Sequence, residues 1–174
     1  MLFLFNTPCI FKGKRVGLFF GIEIHRTSFE AGRFLIVPES APGKFLEHDL
    51  DDVLAADQFV IKLSAFHRKA FTVPDKIELH EHLDDSLRKE IPEFLWLSPS
   101  TGIYCQDSPA GKASGLMLGS KTRMITHIVL KTGTHTQRTI AIELSHMRRL
   151  RPNTIELSLG IEQLSNFPSC LARP

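Results

Sequence analysis

The sequence predicts an α+β fold, mainly antiparallel sheet with two helices in the middle of the chain. Three observations carry that expectation: short apolar runs bounded by Pro, Gly and Asn near the amino terminus, leucines at helical spacing in the middle, and a period of two from Phe94 onward. The 174 residues fit one domain, 1–174, able to bury about 70% of its unfolded surface. With 43% apolar and 23% charged residues, the composition is that of a globular chain. No repeat is visible at periods of twenty to fifty residues.

Taken in order, Leu2–Phe5, Val16–Ile24 and Arg33–Val37 read as strands, and Pro38, Ser40, Pro42 and Gly43 form a loop. Leu46, Leu50, Val53 and Leu54 then recur at helical spacing behind Asp49, Asp51 and Asp52, acids that favour a helix amino terminus, so a first helix is expected there. After the β-like Phe59–Leu63, Leu79, Leu83, Leu87 and Ile91 form one stripe over Asp75–Ile91, closed by Pro92, and predict a second helix. Strands follow at Phe94–Leu97, Ile103–Gln106, Gly115–Leu118, Thr122–Lys131, Arg138–Met147 and Thr154–Ile161. The Thr122–Lys131 and Arg138–Met147 pair reads as a hairpin around Gly133. A weak boundary falls near 98–100, a basic β-ribbon part covers 101–161, and an irregular tail covers 162–174.

Cys9, Cys105 and Cys170 are odd in number and far apart, which gives neither a disulfide framework nor a CxxC metal spacing and points to a reducing, cytoplasmic setting. Lys12, Lys14 and Arg15 follow the MLFLF stretch, the reverse of a signal peptide. The longest apolar runs fall short of the ~20 residues that span a bilayer, so no membrane contact is expected.

Charge is divided unevenly. Residues 1–97 hold 12 Lys/Arg against 15 Asp/Glu, and residues 98–174 hold 9 against 4, so the net of +2 is −3 followed by +5. Seven cations, Lys121, Arg123, Lys131, Arg138, Arg148, Arg149 and Arg151, fall in a stretch whose one acid is Glu143. On a ribbon they would contact a phosphate backbone without implying sequence discrimination. Beyond Tyr104 the remaining Phe/Tyr/Trp ring is Phe167, which leaves no RNP-like stacking platform.

Three partial motifs carry chemistry. His80-Glu81-His82-Leu83-Asp84-Asp85 resembles the HxHxDH signature of the metallo-β-lactamase superfamily, with Asp85 where the last His belongs. That resemblance implies a zinc-activated water at His80, His82 and Asp84. The helix expected over Asp75–Ile91 opposes it, because residues two apart on a helix point about 200° from one another. His25-Arg26-Thr27 looks like half of the paired HxT/S arrangement of the two-histidine phosphoesterases, but the second half, His135-Thr136-Gln137, ends in the wrong residue. Arg148-Arg149-Leu150-Arg151 with Glu156 to Gly160 is similar to the cyclic-dinucleotide site of PilZ domains, with the wrong acid and a displaced Gly. Gly111–Gly119 lacks the order of a phosphate-cradling loop and reads as a turn leading into a strand.

The leading expectation is therefore a non-enzymatic, backbone-contacting nucleic-acid-binding subunit of a larger assembly. It needs no cofactor; its partners are nucleic acid or another polyanion, with proteins of the assembly. The alternatives are a metal-dependent hydrolase using His80, His82 and Asp84, and a structural module for protein-protein interaction.

Overall fold

The computed structural model of the chain describes residues 1–41, 43–66, 70–72, 93–119, 122–132 and 138–170, and the backbone there is mostly strand. β1 (Leu2–Leu4) is followed by β2 (Pro8–Phe11), β3 (Lys14–His25), β4 (Ala31–Pro38), β5 (Lys44–Asp49), β6 (Val53–Ala56), β7 (Ile61–Leu63) and β8 (Ala70–Thr72). Beyond residue 92 come β9 (Phe94–Leu97), β10 (Gly102–Tyr104), β11 (Pro109–Leu118), β12 (Ile125–Thr132), β13 (Arg138–Glu143), β14 (Met147–Arg151) and β15 (Thr154–Leu157). The apolar runs become strands because β-branched and aromatic side chains fill pleated, buried surfaces. In β3, Gly17, Phe19 and Gly21 are buried in alternation, and from Gly21 to Ile24 every residue is buried.

The strands form two sheets with one plan. In one the order is β6-β7-β2-β3-β4-β5-β8, and in the other β14-β15-β10-β11-β12-β13. β2 pairs antiparallel with β3 and parallel with β7, and β10 does the same with β11 and β15. The register agrees residue by residue: Cys9↔Gly17 matches Ile103↔Gly111, and Arg33↔Asp49 matches His127↔Glu143. Each match is a constant displacement of 94 positions, as from Gly17 to Gly111. A bulge between Phe19 and Gly21 recurs between Ala113 and Gly115. Ser64 donates its N–H (2.7 Å) and hydroxyl (3.1 Å) to the Asp52 carbonyl, and Ser158 does so to the His146 carbonyl (2.8 and 3.1 Å). The fold is therefore an internal structural duplication, at a spacing far beyond twenty to fifty residues.

The two copies are interleaved. β1 pairs with β11 of the second copy and β9 pairs with β3 of the first, with Leu2↔Met117 and Glu23↔Trp96 in equivalent places. Both crossings need a glycine. A Cβ on Gly21 would come within 2.9 Å of the Leu97 carbonyl oxygen, and one on Gly115 would overlap the Phe3 carbonyl. One continuous apolar cluster joins both copies, including Phe3, Phe19 and Phe34 with Leu116 and Ile128. Phe19 has ring centroids 5.7 Å from Phe3 and 6.2 Å from Phe34. Each such ring contributes about 1.5–3 kcal/mol on burial.

The expected α+β class is corrected to a mostly β protein. The first helix does not form: Lys44–Asp49 is a strand, Leu50–Asp52 a single 3-10 turn and Val53–Ala56 a strand again. Leu46 and His48 are buried two apart, and pairing of β5 with β4 and β8 overrides the helical spacing. Asp49 precedes the turn without a side-chain capping bond and Asp51 and Asp52 lie within it, so the three acids do not head an α-helix. The second expected helix, Asp75–Ile91, lies outside the described residues. In the tail, Ile161–Asn166 is a 3-10 helix with Leu164 buried, and the Cys170 N–H donates to the Thr139 carbonyl at 2.9 Å.

Candidate nucleic-acid interface

The hairpin of β12 and β13 runs from His127↔Glu143 to Thr132↔Arg138. It does not present a continuous basic face, because buried residues stand on both sides of β12, Ile125 and Val129 on one and Ile128 and Leu130 on the other. Its cations sit at the ends. Arg123, just before β12, pairs with the Asp51 carboxylate of the first copy. Lys131 is exposed at the far end. Arg138 donates to the Phe167 carbonyl at 2.6 Å and the Ser165 carbonyl at 3.3 Å, holding the tail. Lys121 lies outside the described residues.

The other three cations come together. Arg148, Arg149 and Arg151 belong to the edge strand β14, whose register shifts between Met147 and Arg149. They line a concavity of about 270 Å³ whose other wall is Arg26 and Phe29, from the turn between β3 and β4 of the first copy. His25 fixes that turn: its Nδ1 accepts the Ser28 N–H at 3.1 Å, and its Nε2 lies 2.8 Å from Glu93 Oε1. Phe29 takes a left-handed φ of 57°. Arg151 Nε is 3.2 Å from Glu156 Oε1. Among the described residues no carboxylate forms an ion pair with Arg26, Arg148 or Arg149. Guanidinium groups in this state are fixed positive charges with forked donors, the chemistry that holds phosphate or carboxylate.

Arg26 escaped the sequence reading because it sits in the acidic half of the chain. The signal that finds it is spatial: the interleaving brings the β3–β4 turn of one copy against the other copy, as the Ala31 N–H donating to the Arg123 carbonyl at 2.8 Å shows.

The remaining candidates are placed as follows. His80, His82, Asp84 and His135 lie outside the described residues. Among the described residues no group of three or more His, Cys, Asp or Glu is arranged to hold a metal ion. His25 serves its turn. Gly111–Leu118 lies within β11. Cys9 is buried, and desolvation pushes its thiol up to about 12. No described helix is long and apolar enough to cross a membrane. No protein-family model and no curated protein matches this chain.

Proposed function

We propose that the protein is a non-enzymatic binding subunit of a larger assembly that contacts the phosphate backbone of a nucleic acid through its arginine cleft. The observation carrying this reading is the convergence of Arg26, Arg148, Arg149 and Arg151 on one concavity formed by both copies of the fold. Backbone contact needs fixed positive charge on a rigid element, and an edge strand hydrogen-bonded to β15 is such an element. Lys131, exposed at its own strand end, is not among the residues lining the cleft. Arg123 and Arg138 have structural partners and carry less of the binding.

The comparison of the two copies supports the same reading. Positions 148, 149 and 151 correspond to Leu54, Ala55 and Asp57 in the first copy, on the equivalent edge strand β6 and its turn. The fold therefore tolerates neutral and acidic residues at these positions, and the arginines are not a requirement of folding.

Fluorescence anisotropy of a labelled oligonucleotide, titrated with protein across a salt series, tests the proposal. Binding that weakens steeply with salt and is lost in the Arg148→Glu/Arg149→Glu variant is expected. Absence of binding at low ionic strength, or salt-insensitive binding, overturns it.

A further inference from the structure

Beside the arginine cleft lies a second concavity, of about 370 Å³, and Arg148 lines both. Its other walls include Tyr104, Gln106, Thr154 and Glu156. Tyr104 ends β10, next to Glu156 across the parallel pairing with β15. Its ring lies against the backbone of Gly102: a Cβ there would come within 2.9 Å of Tyr104 Cε2 and 3.6 Å of Cζ. The glycine thus lets the aromatic ring rest on the strand. Tyr104 remains 44% exposed, so part of the ring is presented to the concavity.

The two neighbouring concavities differ in charge. The cleft holds four arginines, whereas the Tyr104 concavity holds Arg148 and the Glu156 carboxylate, itself engaged by Arg151. A phosphate is repelled by Glu156 and accepted among the arginines. A flat neutral group is accepted on the tyrosine ring. An exposed aromatic face beside a guanidinium cluster provides the two contacts that a nucleotide with an unpaired base makes, stacking and phosphate pairing.

The first copy supplies an internal control. By the shared register, Tyr104, Arg148 and Glu156 correspond to Ile10, Leu54 and Lys62. The equivalent strand positions there carry two aliphatic side chains and a lysine, with Pro8 in the place of Gly102, so the fold does not demand the tyrosine, the arginine or the acid.

We infer that the ligand is single-stranded nucleic acid, one of whose bases stacks on Tyr104 while its backbone runs through the arginine cleft. This inference rests on the function proposed above and adds the class of strand to it. A base inside a duplex cannot reach the ring face, so the site discriminates single from double strands.

The test measures anisotropy of a labelled single strand and of the matching duplex, for wild type and for Tyr104→Leu, Tyr104→Phe and Gly102→Ala, each checked for a native melting transition. Loss of one stacked base weakens single-strand binding ~5- to 150-fold. Tyr104→Leu is expected to show that loss with duplex affinity and salt slope unchanged, Tyr104→Phe to retain binding, and Gly102→Ala, which displaces the ring, to follow Tyr104→Leu. Unchanged single-strand affinity in Tyr104→Leu, or an equal loss for both strand types, overturns the stacking site while leaving the arginine cleft standing. No binding of either strand by the wild type overturns both.

Discussion

Glu30 and Met124 form a β-bridge with each other, and each occupies the other's position in the duplicated fold. Flanking them, the Ala31 N–H donates to the Arg123 carbonyl at 2.8 Å and the Ile125 N–H to the Phe29 carbonyl at 3.1 Å, again equivalent pairs. A residue bonded to its own counterpart marks a two-fold axis, so the chain is built as a dimer is built, within one polypeptide. The arginine cleft lies where the two copies meet, with walls from both.

Because β9 and β1 cross at Gly21 and Gly115, Gly21→Ala and Gly115→Ala are each expected to destabilise the protein by about 1–3 kcal/mol through overpacking against a backbone carbonyl. Urea denaturation reads this as a lower midpoint at unchanged slope.

Glu23 is buried and held by Arg33, whose Nε and second guanidinium nitrogen lie 2.8 and 2.6 Å from its two carboxylate oxygens, with Glu47 on the remaining side. The hydrogen bond to Glu23 is the leading cause that raises the Arg33 pKa, with burial opposing it. Arg33→Met strands the Glu23 carboxylate and is expected to cost about 2 kcal/mol or more. Adding Glu23→Met is expected to recover part of the loss, since Met is what the second copy carries at that position (Met117). A double-mutant cycle by chemical denaturation decides it.

Burial pushes the Cys9 thiol up to about 12, whereas the unfolded thiol ionises near about 8.5. The folded state therefore binds the proton more tightly, and stability is full below the unfolded value. It falls as pH rises toward the folded value, by at most ~1.4 kcal/mol per pH unit. The difference between wild type and Cys9→Ala across pH 7–11, followed by urea midpoints, isolates this slope. A difference that stays constant with pH contradicts it. Thiol reagents are expected to modify Cys9 only after unfolding.

With three arginines of the cleft outside any described ion pair, the log–log salt dependence of nucleic-acid binding is expected to have a slope of about −2 to −3. Charge reversal at Arg26 is expected to reduce that slope by about one, as reversal at Arg149 does. Reversal at Arg138 is expected to show itself chiefly in the melting temperature, through loss of the tail contacts at Phe167 and Ser165.

Strand positions were legible wherever apolar runs were short and bounded, as at Val16–Ile24, Arg33–Val37 and Phe94–Leu97, because β-branched and aromatic residues have few other uses at that length. The segment around Leu46–Leu54 misled because a strand, a one-turn 3-10 element and a second strand reproduce the spacing of a helix face. The duplication was hidden for a physical reason. Equivalent positions need the same backbone geometry, not the same side chain: Phe19 and Ala113 differ in volume, and Arg33 and His127 in chemistry, at matching places in the register. Identity survives where geometry is strict, as at Gly17 and Gly111 against the next strand and at Gly21 and Gly115 at the crossings. For the cleft, β14 stood out by charge alone, but Arg26 and Tyr104 depend on proximities that no local pattern carries.

The exchanged strands also set an order for biosynthesis. A nascent chain can lay down β2 to β7 as soon as they leave the ribosome, yet the Ile22–His25 end of β3 lacks its second neighbour until Phe94–Leu97 has been made, and β1 waits longer still for β11. Through that interval the half-finished protein exposes an unpaired, apolar strand margin. Chaperone demand during translation is thus written into the exchange that later locks the two copies together.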